Sequence, residues 1–104
     1  MKLKICGILD INILQHACEA NVDFVGFIMA NNSPRKISND FLDSLENFNF
    51  LDTAPVFVFV NPSVEEVEKV TTKIENPILQ FHGDEEDNFC KQFNKSFWKT
   101  IRVK

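Results

Sequence analysis

The chain alternates short apolar runs with amphipathic helical segments four times and then carries a fifth apolar run. The runs occupy residues 2–6, 23–29, 55–60, 77–82 and 97–103. They lack polar alternation, which is typical of strands covered on both faces. Because a helical segment separates each run from the next, the strands are expected to be parallel. The order β-α-β-α-β-α-β-α-β therefore predicts an α/β fold with one parallel sheet.

The predicted helices carry recognisable start signals and apolar faces. Residues able to cap a helix stand at Asp10, Ser38, Ser63 and Asp84, and Ser63 with Glu66 spells a capping box. Asn21 is a tolerable left-handed stop for the first helix. The residues expected to face the core are Ile11, Leu14, Cys18, Phe41, Leu42, Leu45, Phe48, Val64, Val67, Val70, Ile74, Phe89, Cys90 and Phe93. His16 falls on the surface side of the first helix.

Length, charge and cysteine usage limit the class of protein. At 104 residues the chain is expected to form one domain, residues 1–104, and its net charge of -4 argues against nucleic acid. No segment approaches the roughly 20 apolar residues of a membrane span, so no membrane contact and a cytoplasmic location are expected. The three cysteines show neither a disulfide framework nor metal-ligand spacing, so we expect reduced thiols.

Two architectures fit this pattern. One is an open, doubly wound sheet of five strands that is complete at this length; the other is a (β/α)8 barrel, which typically needs 200 residues or more. Both gather function at the carboxyl ends of the strands. The residues expected at that edge are Cys6, Arg35, Asn61, His82 and Arg102.

Each residue at this edge has a structural and a functional interpretation. Cys6 by itself is more often a small buried hydrophobe, but beside Gly7 at a strand end its thiol can serve as base or nucleophile. Arg35 is either a solvent-exposed surface residue or a binding residue whose planar guanidinium pairs with a carboxylate or phosphate. His82 with Gly83 either faces a ligand or forms a turn.

The remaining polar residues of this edge favour structural roles. Asp84 and Glu85 are expected to serve the start of the fourth helix, where acids are favoured. Asn61 precedes a proline and is expected to bond the local backbone, as turn residues do.

Six segments, taken in order, resemble one family. They are KICGI at 4–8, DFVGF at 23–27, SPRKIS at 33–38, VFVNPS at 58–63, LQFHGDE at 79–85 and WKTIRV at 98–103. Together they resemble the first half of phosphoribosylanthranilate isomerases. The resemblance implies a (β/α)8 (TIM) barrel fold, present here as a half-barrel. It also implies an isomerase of tryptophan biosynthesis that rearranges N-(5'-phosphoribosyl)anthranilate without metal or organic cofactor.

The resemblance also implies roles for individual residues. In this family a general acid opens the ribose ring to an iminium ion, and a general base then removes the C2' proton. By motif match Cys6 is the base and Arg35 holds the anthranilate carboxylate. His82 lines the pocket, and Gly7 leaves room for the substrate.

The family's second half lies beyond the matched segments. Its general-acid aspartate and phosphate loops belong to that half, so the chain alone is expected to be inactive. Leu9 stands where threonine is usual, Asn31 where proline is frequent, and Phe57 where glycine precedes VFVN. The alternative is a non-catalytic half-barrel that pairs with a second copy or with a complementary C-terminal half, because opening a barrel leaves unpaired strand edges.

Overall fold

Five parallel strands form one sheet, and they follow one another in the order of the chain. A computed structural model describes residues 2–99. Its strands are β1 (Lys4–Cys6), β2 (Phe24–Ile28), β3 (Ala54–Phe59), β4 (Ile78–Phe81) and β5 (Phe97–Lys99). The first four predicted strands are confirmed to within two residues at each end. The fifth is confirmed from Phe97 to Lys99, and its predicted continuation to residue 103 lies outside the described residues.

Four helices connect the strands. They are α1 (Ile11–Glu19), α2 (Asn39–Leu45), α3 (Val64–Lys73) and α4 (Asp87–Lys91). The predicted caps of the first three are confirmed: Asp10 accepts from the N–H groups of Asn12 and Ile13, Ser38 accepts from Phe41, and Ser63 forms a capping box with Glu66. None of the helices within residues 2–99 has the length and apolar character needed to cross a membrane.

The predicted cap of the fourth helix is wrong. The N-cap residue of α4 is Glu86, two residues after Asp84, and its side chain makes no capping hydrogen bond. The backbone N–H of Asp84 instead donates to Asn61 Oδ1 at 2.8 Å. Asp84 therefore belongs to the loop that joins β4 to α4, and α4 begins three residues later, at Asp87.

All four helices pack against one face of the sheet, which we call the outer face. Its strand residues are fully buried phenylalanines and aliphatic residues: Val25, Phe27, Phe57, Phe59, Leu79 and Phe81. They meet the buried helix residues Leu14, Cys18, Leu42, Leu45, Val67, Val70 and Cys90. Each large apolar side chain buried in this way contributes about 1.5–3 kcal/mol, so the outer face holds most of the hydrophobic stabilisation.

One residue of the predicted core lies elsewhere. Val64 is 36% exposed, whereas Val67 and Val70 on the same helix are fully buried. Val64 is the first residue of α3, and the helix makes its buried contacts only from Val67 onward.

The strand order excludes the doubly wound arrangement. In a doubly wound sheet the strand order reverses at a switch point and helices cover both faces. Here the order is β1-β2-β3-β4-β5 with parallel neighbours throughout, and the described helices share one face. Sequential parallel strands with helices on a single face are the arrangement of a (β/α)8 barrel, so the chain forms half of that architecture.

The opposite face of the sheet, which we call the inner face, is covered by side chains of its own strands. The Lys4 ammonium donates to Gln80 Oε1 at 2.6 Å and lies 5.5 Å from the ring centre of Trp98. Phe24 meets Trp98 edge to face, with ring centres 5.0 Å apart. Side chains from β1 and β2 therefore contact side chains from β4 and β5.

These contacts show that the sheet coils. In the hydrogen-bonded register, Lys4 lies opposite Phe24, and Phe24 lies opposite Ala54. Extending the β3–β4 pairing by two residues places Asn76 opposite Ala54. Lys4 instead reaches Gln80, four residues further along (80 minus 76). A (β/α)8 barrel has a stagger of about one residue per strand. The offset of four residues over the three steps from β1 to β4 is close to that stagger.

Candidate functional site

Cys6 ends β1 and is exposed, which overturns the interpretation of this residue as a small buried hydrophobe. Its side chain packs over Gly26 on the neighbouring strand. A Cβ at Gly26 would lie 2.8 Å from Cys6 Sγ and 3.3 Å from Cys6 Cα. The absence of a side chain at Gly26 therefore makes room for the thiol on the inner face.

The chain turns sharply after Cys6. Gly7 has a φ of +82°, a conformation that side-chain-bearing residues rarely adopt. The N–H groups of Gly7 and Ile8 both donate to the carbonyl oxygen of Gly26, at 3.0 and 3.2 Å. A Cβ at Gly7 would lie 3.0 Å from Arg35 Nη1. The turn therefore brings the backbone next to the thiol against the guanidinium of Arg35.

The loop after β2 is anchored on both sides of Arg35. Ser33 Oγ accepts from the Arg35 N–H at 3.2 Å, and Lys36 forms an isolated bridge with Ile28. Ile37 is 3% exposed and its N–H donates to the carbonyl oxygen of Ile28 at 3.0 Å. The backbone of Arg35 is therefore fixed while its side chain stays exposed, as an anion-binding arginine requires.

His82 follows β4 directly. Its N–H donates to the Phe59 carbonyl oxygen at 2.9 Å, which continues the β3–β4 pairing to the edge of the sheet. Its ring Nε2 contacts Gln80 Nε2, and the other end of that amide accepts from Lys4. A chain of three side chains thus joins His82 to the strand that bears Cys6.

The loops after β3 and β4 are clamped together. Asn61 Oδ1 accepts from the Asp84 N–H, and the Asn61 N–H donates to Glu85 Oε2, both at 2.8 Å. A Cβ at Gly83 would collide with the Asn61 side chain and would lie 2.9 Å from its backbone nitrogen. The expectation that Asn61 bonds its local backbone is wrong, because its partner is 23 residues away. Glu85 is 7% exposed, and its carboxylate is held within this clamp.

The predicted site residues fall into two groups. Arg35 lies against Gly7, the residue after Cys6, whereas His82 follows β4, three strands from β1, and is connected to β1 through Gln80 and Lys4. Arg102 lies outside the described residues. Within residues 2–99 no group of three or more His, Cys, Asp or Glu side chains is placed to hold a metal ion. An exposed thiol, one residue from the glycine that contacts an exposed guanidinium, suits proton transfer on an anionic substrate.

The other two cysteines differ sharply from Cys6. Burial raises the pKa of the Cys18 thiol, and a hydrogen bond with Thr53 opposes this only in part. Burial also raises the pKa of the Cys90 thiol, helped by the nearby carboxylate of Glu85. Both are core residues, as predicted. Their raised pKa values keep the thiols protonated at a pH at which a reactive cysteine would ionise.

Sequence reasoning missed three residues of this edge. Gly26 interrupts the apolar run of the second strand, and a glycine inside a strand often marks a close approach. Lys4 and Gln80 are the polar residues within otherwise apolar strands, a signal that each faces the inner side. These signals were present, but no pattern in the sequence says that Lys4 and Gln80 touch.

Comparisons with known proteins identify the family and the fold. The family model for N-(5'-phosphoribosyl)anthranilate (PRA) isomerase matches residues 3–104. The N-(5'-phosphoribosyl)anthranilate isomerase of Xanthomonas oryzae pv. oryzae is 36% identical over 100 residues, covering 96% of this chain and 45% of that protein.

Two solved structures have the same fold. A phosphoribosyl anthranilate isomerase in complex with reduced 1-(o-carboxyphenylamino)-1-deoxyribulose 5-phosphate has a TM-score of 0.86 and 27% identity, over 100% of this chain and 55% of that one. Monomers generated from the dimeric enzyme of Thermotoga maritima have a TM-score of 0.84 and 28% identity, over 100% and 55%. The chain spans about half the length of these relatives. It belongs to the phosphoribosylanthranilate isomerase family.

Proposed function

We propose that this chain supplies the proton-abstracting half of a phosphoribosylanthranilate isomerase. The substrate is N-(5'-phosphoribosyl)anthranilate, and the reaction is its Amadori rearrangement in tryptophan biosynthesis. The observation that carries the proposal is the close approach of Arg35 to Gly7, the residue after Cys6, with an exposed thiol and an exposed guanidinium at the carboxyl edge of the sheet. The family relationship, including a relative solved with the reduced product, supports this choice of substrate.

Each residue has a specific part in this proposal. Arg35 pairs its planar guanidinium with the anthranilate carboxylate. Once a general acid has opened the ribose ring to an iminium ion, Cys6 takes the C2' proton and leaves the enol-amine. Gly7 lets the substrate approach the backbone, and His82 lines the pocket. The general-acid aspartate and the phosphate site come from the half of the fold that residues 1–104 do not cover.

A fused protein tests the proposal. Residues 1–104 are joined to the carboxyl-terminal half of the Xanthomonas oryzae relative, and consumption of phosphoribosylanthranilate is followed. The fusion is expected to be active and the 104-residue chain inactive. Cys6→Ser in the fusion should lower kcat by roughly 10²–10⁴-fold, the typical contribution of a general base. Arg35→Lys should raise KM, because lysine lacks the planar fork.

The matched control is Cys18→Ala in the same fusion. Cys18 is buried on the outer face, so its loss should leave kcat unchanged when the protein is folded. Equal losses of kcat for the Cys6 and Cys18 variants would contradict the role of Cys6. Turnover by the 104-residue chain alone would contradict its expected inactivity.

We also propose that the sheet edges of this chain pair with a complementary carboxyl-terminal half. Leu3, Ile5, Leu9 and Ile13 on and near β1 are exposed apolar residues, between 36% and 56% accessible. A second half-barrel would cover them and would continue the hydrogen bonding of β1 and β5. Sedimentation of the chain with the separate carboxyl-terminal half should give a one-to-one complex. Sedimentation as a stable homodimer that excludes the other half would favour self-association instead.

A further inference from the structure

The inner-face contacts of His82 determine which of its ring nitrogens carries a proton. A lysine ammonium has three N–H donors and no acceptor, so the atom of Gln80 that meets Lys4 at 2.6 Å has to be the amide oxygen. The other end of the same amide is then the NH2 group, which has only donors. This group is the one that meets His82 Nε2.

The contact between Gln80 and His82 therefore has one consistent proton arrangement. Because the Gln80 NH2 group donates, His82 Nε2 has to accept, and an accepting imidazole nitrogen carries no proton. The proton of a neutral ring then sits on Nδ1. The tautomer of His82 is therefore set two contacts away, by a lysine on β1, an edge strand of the described sheet.

We propose that Lys4 and Gln80 are positioning residues that hold His82 as the Nδ1–H tautomer, with its Nε2 lone pair occupied. The ring of Trp98, 5.5 Å from the Lys4 ammonium, helps to keep that charge on the inner face. The functional consequence rests on the proposed isomerase site. A histidine with its lone pair occupied does not compete for the substrate proton, which leaves that step to Cys6, whose thiolate takes the proton and becomes the thiol.

Imidazole nitrogen NMR on the 104-residue chain tests this directly. Spectra are recorded at about pH 8, where histidine side chains in ordinary environments are neutral. We expect His82 Nε2 to resonate as an unprotonated nitrogen and Nδ1 as a protonated one. The chain has only two histidines, and the second, exposed His16 on α1, serves as the reference in the same spectrum. Protonated Nε2 on His82 in the unaltered chain would overturn the proposal.

Two substitutions should reverse the arrangement. In Gln80→Glu the carboxylate accepts from Lys4 and from His82, so Nε2 has to become protonated. In Lys4→Glu the new carboxylate accepts from the Gln80 NH2 group, the amide turns over, and its oxygen then faces His82. Nε2 should become protonated in this variant too, although the altered residue does not touch the histidine. A merely structural role for Lys4 would not produce this reversal.

Lys2→Glu is the matched control. It makes the same change of charge two residues away, on an exposed side chain that lies against Phe24. The His82 tautomer should not change in this variant. If the Lys4 and Gln80 variants fold, as judged by an unchanged His16 signal and dispersed amide signals, and His82 keeps its tautomer, the proposal is wrong. If they do not fold, the tautomer of the unaltered chain decides it. Inactivity of the fused enzyme would count against the proposed function and leave this result untouched.

Discussion

The two faces of the sheet are built from different side chains and held by different forces. On the outer face, stacked rings such as Phe27 with Phe57 and Phe59 with Phe81 lie beneath the helices, with ring centres 5.2 and 5.9 Å apart. On the inner face, polar and aromatic side chains meet one another by directed contacts. They are Lys4, Phe24, Gln80, His82 and Trp98. The outer face supplies most of the buried apolar area, whereas the inner face, which also buries Val56 and Val58, is held in addition by a few specific polar and aromatic contacts.

The largest expected effect belongs to the outer face. Leu79 is fully buried there, so Leu79→Ala should lower the free energy of unfolding by about 2–5 kcal/mol. The matched control is Leu9→Ala, since Leu9 is 50% exposed and its loss should cost about 0.5 kcal/mol or less. Urea denaturation followed by circular dichroism measures both. Similar losses for the two leucines would remove the distinction between buried core and exposed edge.

The next effect tests the closest packing on the inner face. Gly26→Ala places a Cβ against Cys6 and should destabilise the fold by about 1–3 kcal/mol through overpacking. Part of this loss should return in the double variant with Cys6→Ala, because the sulfur is the nearest atom. A double-mutant cycle in urea measures the coupling. Strictly additive losses would mean that the thiol does not occupy the space above Gly26.

A smaller effect is expected from the directed contacts. Lys4→Met keeps the apolar stem but removes the hydrogen bond to Gln80 and the cation above Trp98, which should cost about 1 kcal/mol. Lys91→Met on α4 is the control, because Lys91 is exposed and should contribute less than about 0.5 kcal/mol. If both variants unfold at the same urea concentration, the inner-face contacts of Lys4 do not stabilise the fold.

The smallest effect on stability concerns the thiols, which also divide between the faces. Burial raises the pKa of Cys18 and of Cys90, so the folded chain retains protons that an unfolded chain loses as the pH rises. Their contribution to stability is therefore complete below the ordinary thiol pKa of about 8.5 and declines as the pH rises through the folded values. The urea midpoint should fall between about pH 8 and pH 10.

Thiol labelling separates the same groups without unfolding the chain. At about pH 8 a thiol reagent should modify one cysteine in the native chain, Cys6, and all three in denaturant. Cys6→Ala should leave the native chain unmodified. Labelling of Cys18 or Cys90 in the native chain as fast as Cys6 would show that the outer-face core opens readily.

The sequence predicted the outer face far better than the inner one. Apolar periodicity identified the strands and nearly every buried helix residue, because hydrophobic burial leaves a regular pattern. Apolar periodicity failed at Val64, where position relative to the sheet decides burial, and the capping signal failed at Asp84, where a distant partner takes the backbone N–H. Ordered motifs led to the family, and with it to Cys6 and Arg35. The roles of these two residues remain predictions for the fused enzyme to test.

What the sequence did not contain is the pairing of distant polar residues. The clamp of Asn61 with Glu85 joins loops 24 residues apart, and the contact of Lys4 with Gln80 joins strands 76 residues apart. Such partners are set by the coiling of the sheet, and coiling has no local signal in the chain. Composition and spacing alone could not separate a barrel from a doubly wound sheet for the same reason.

The contact between Lys4 and Trp98 also has a consequence for the order of events in folding. The two residues are 94 positions apart (98 minus 4), so their contact closes the longest loop among the inner-face contacts described. Because closing a long loop costs entropy, we expect this contact to form late, with the assembly of the four β-α units and the curving of the sheet. Because Trp98 is the sole tryptophan of the chain, its fluorescence during refolding should change with the last, slowest phase. The fluorescence of Trp98 should therefore report when β5 comes into contact with β1 and β2 on the inner face.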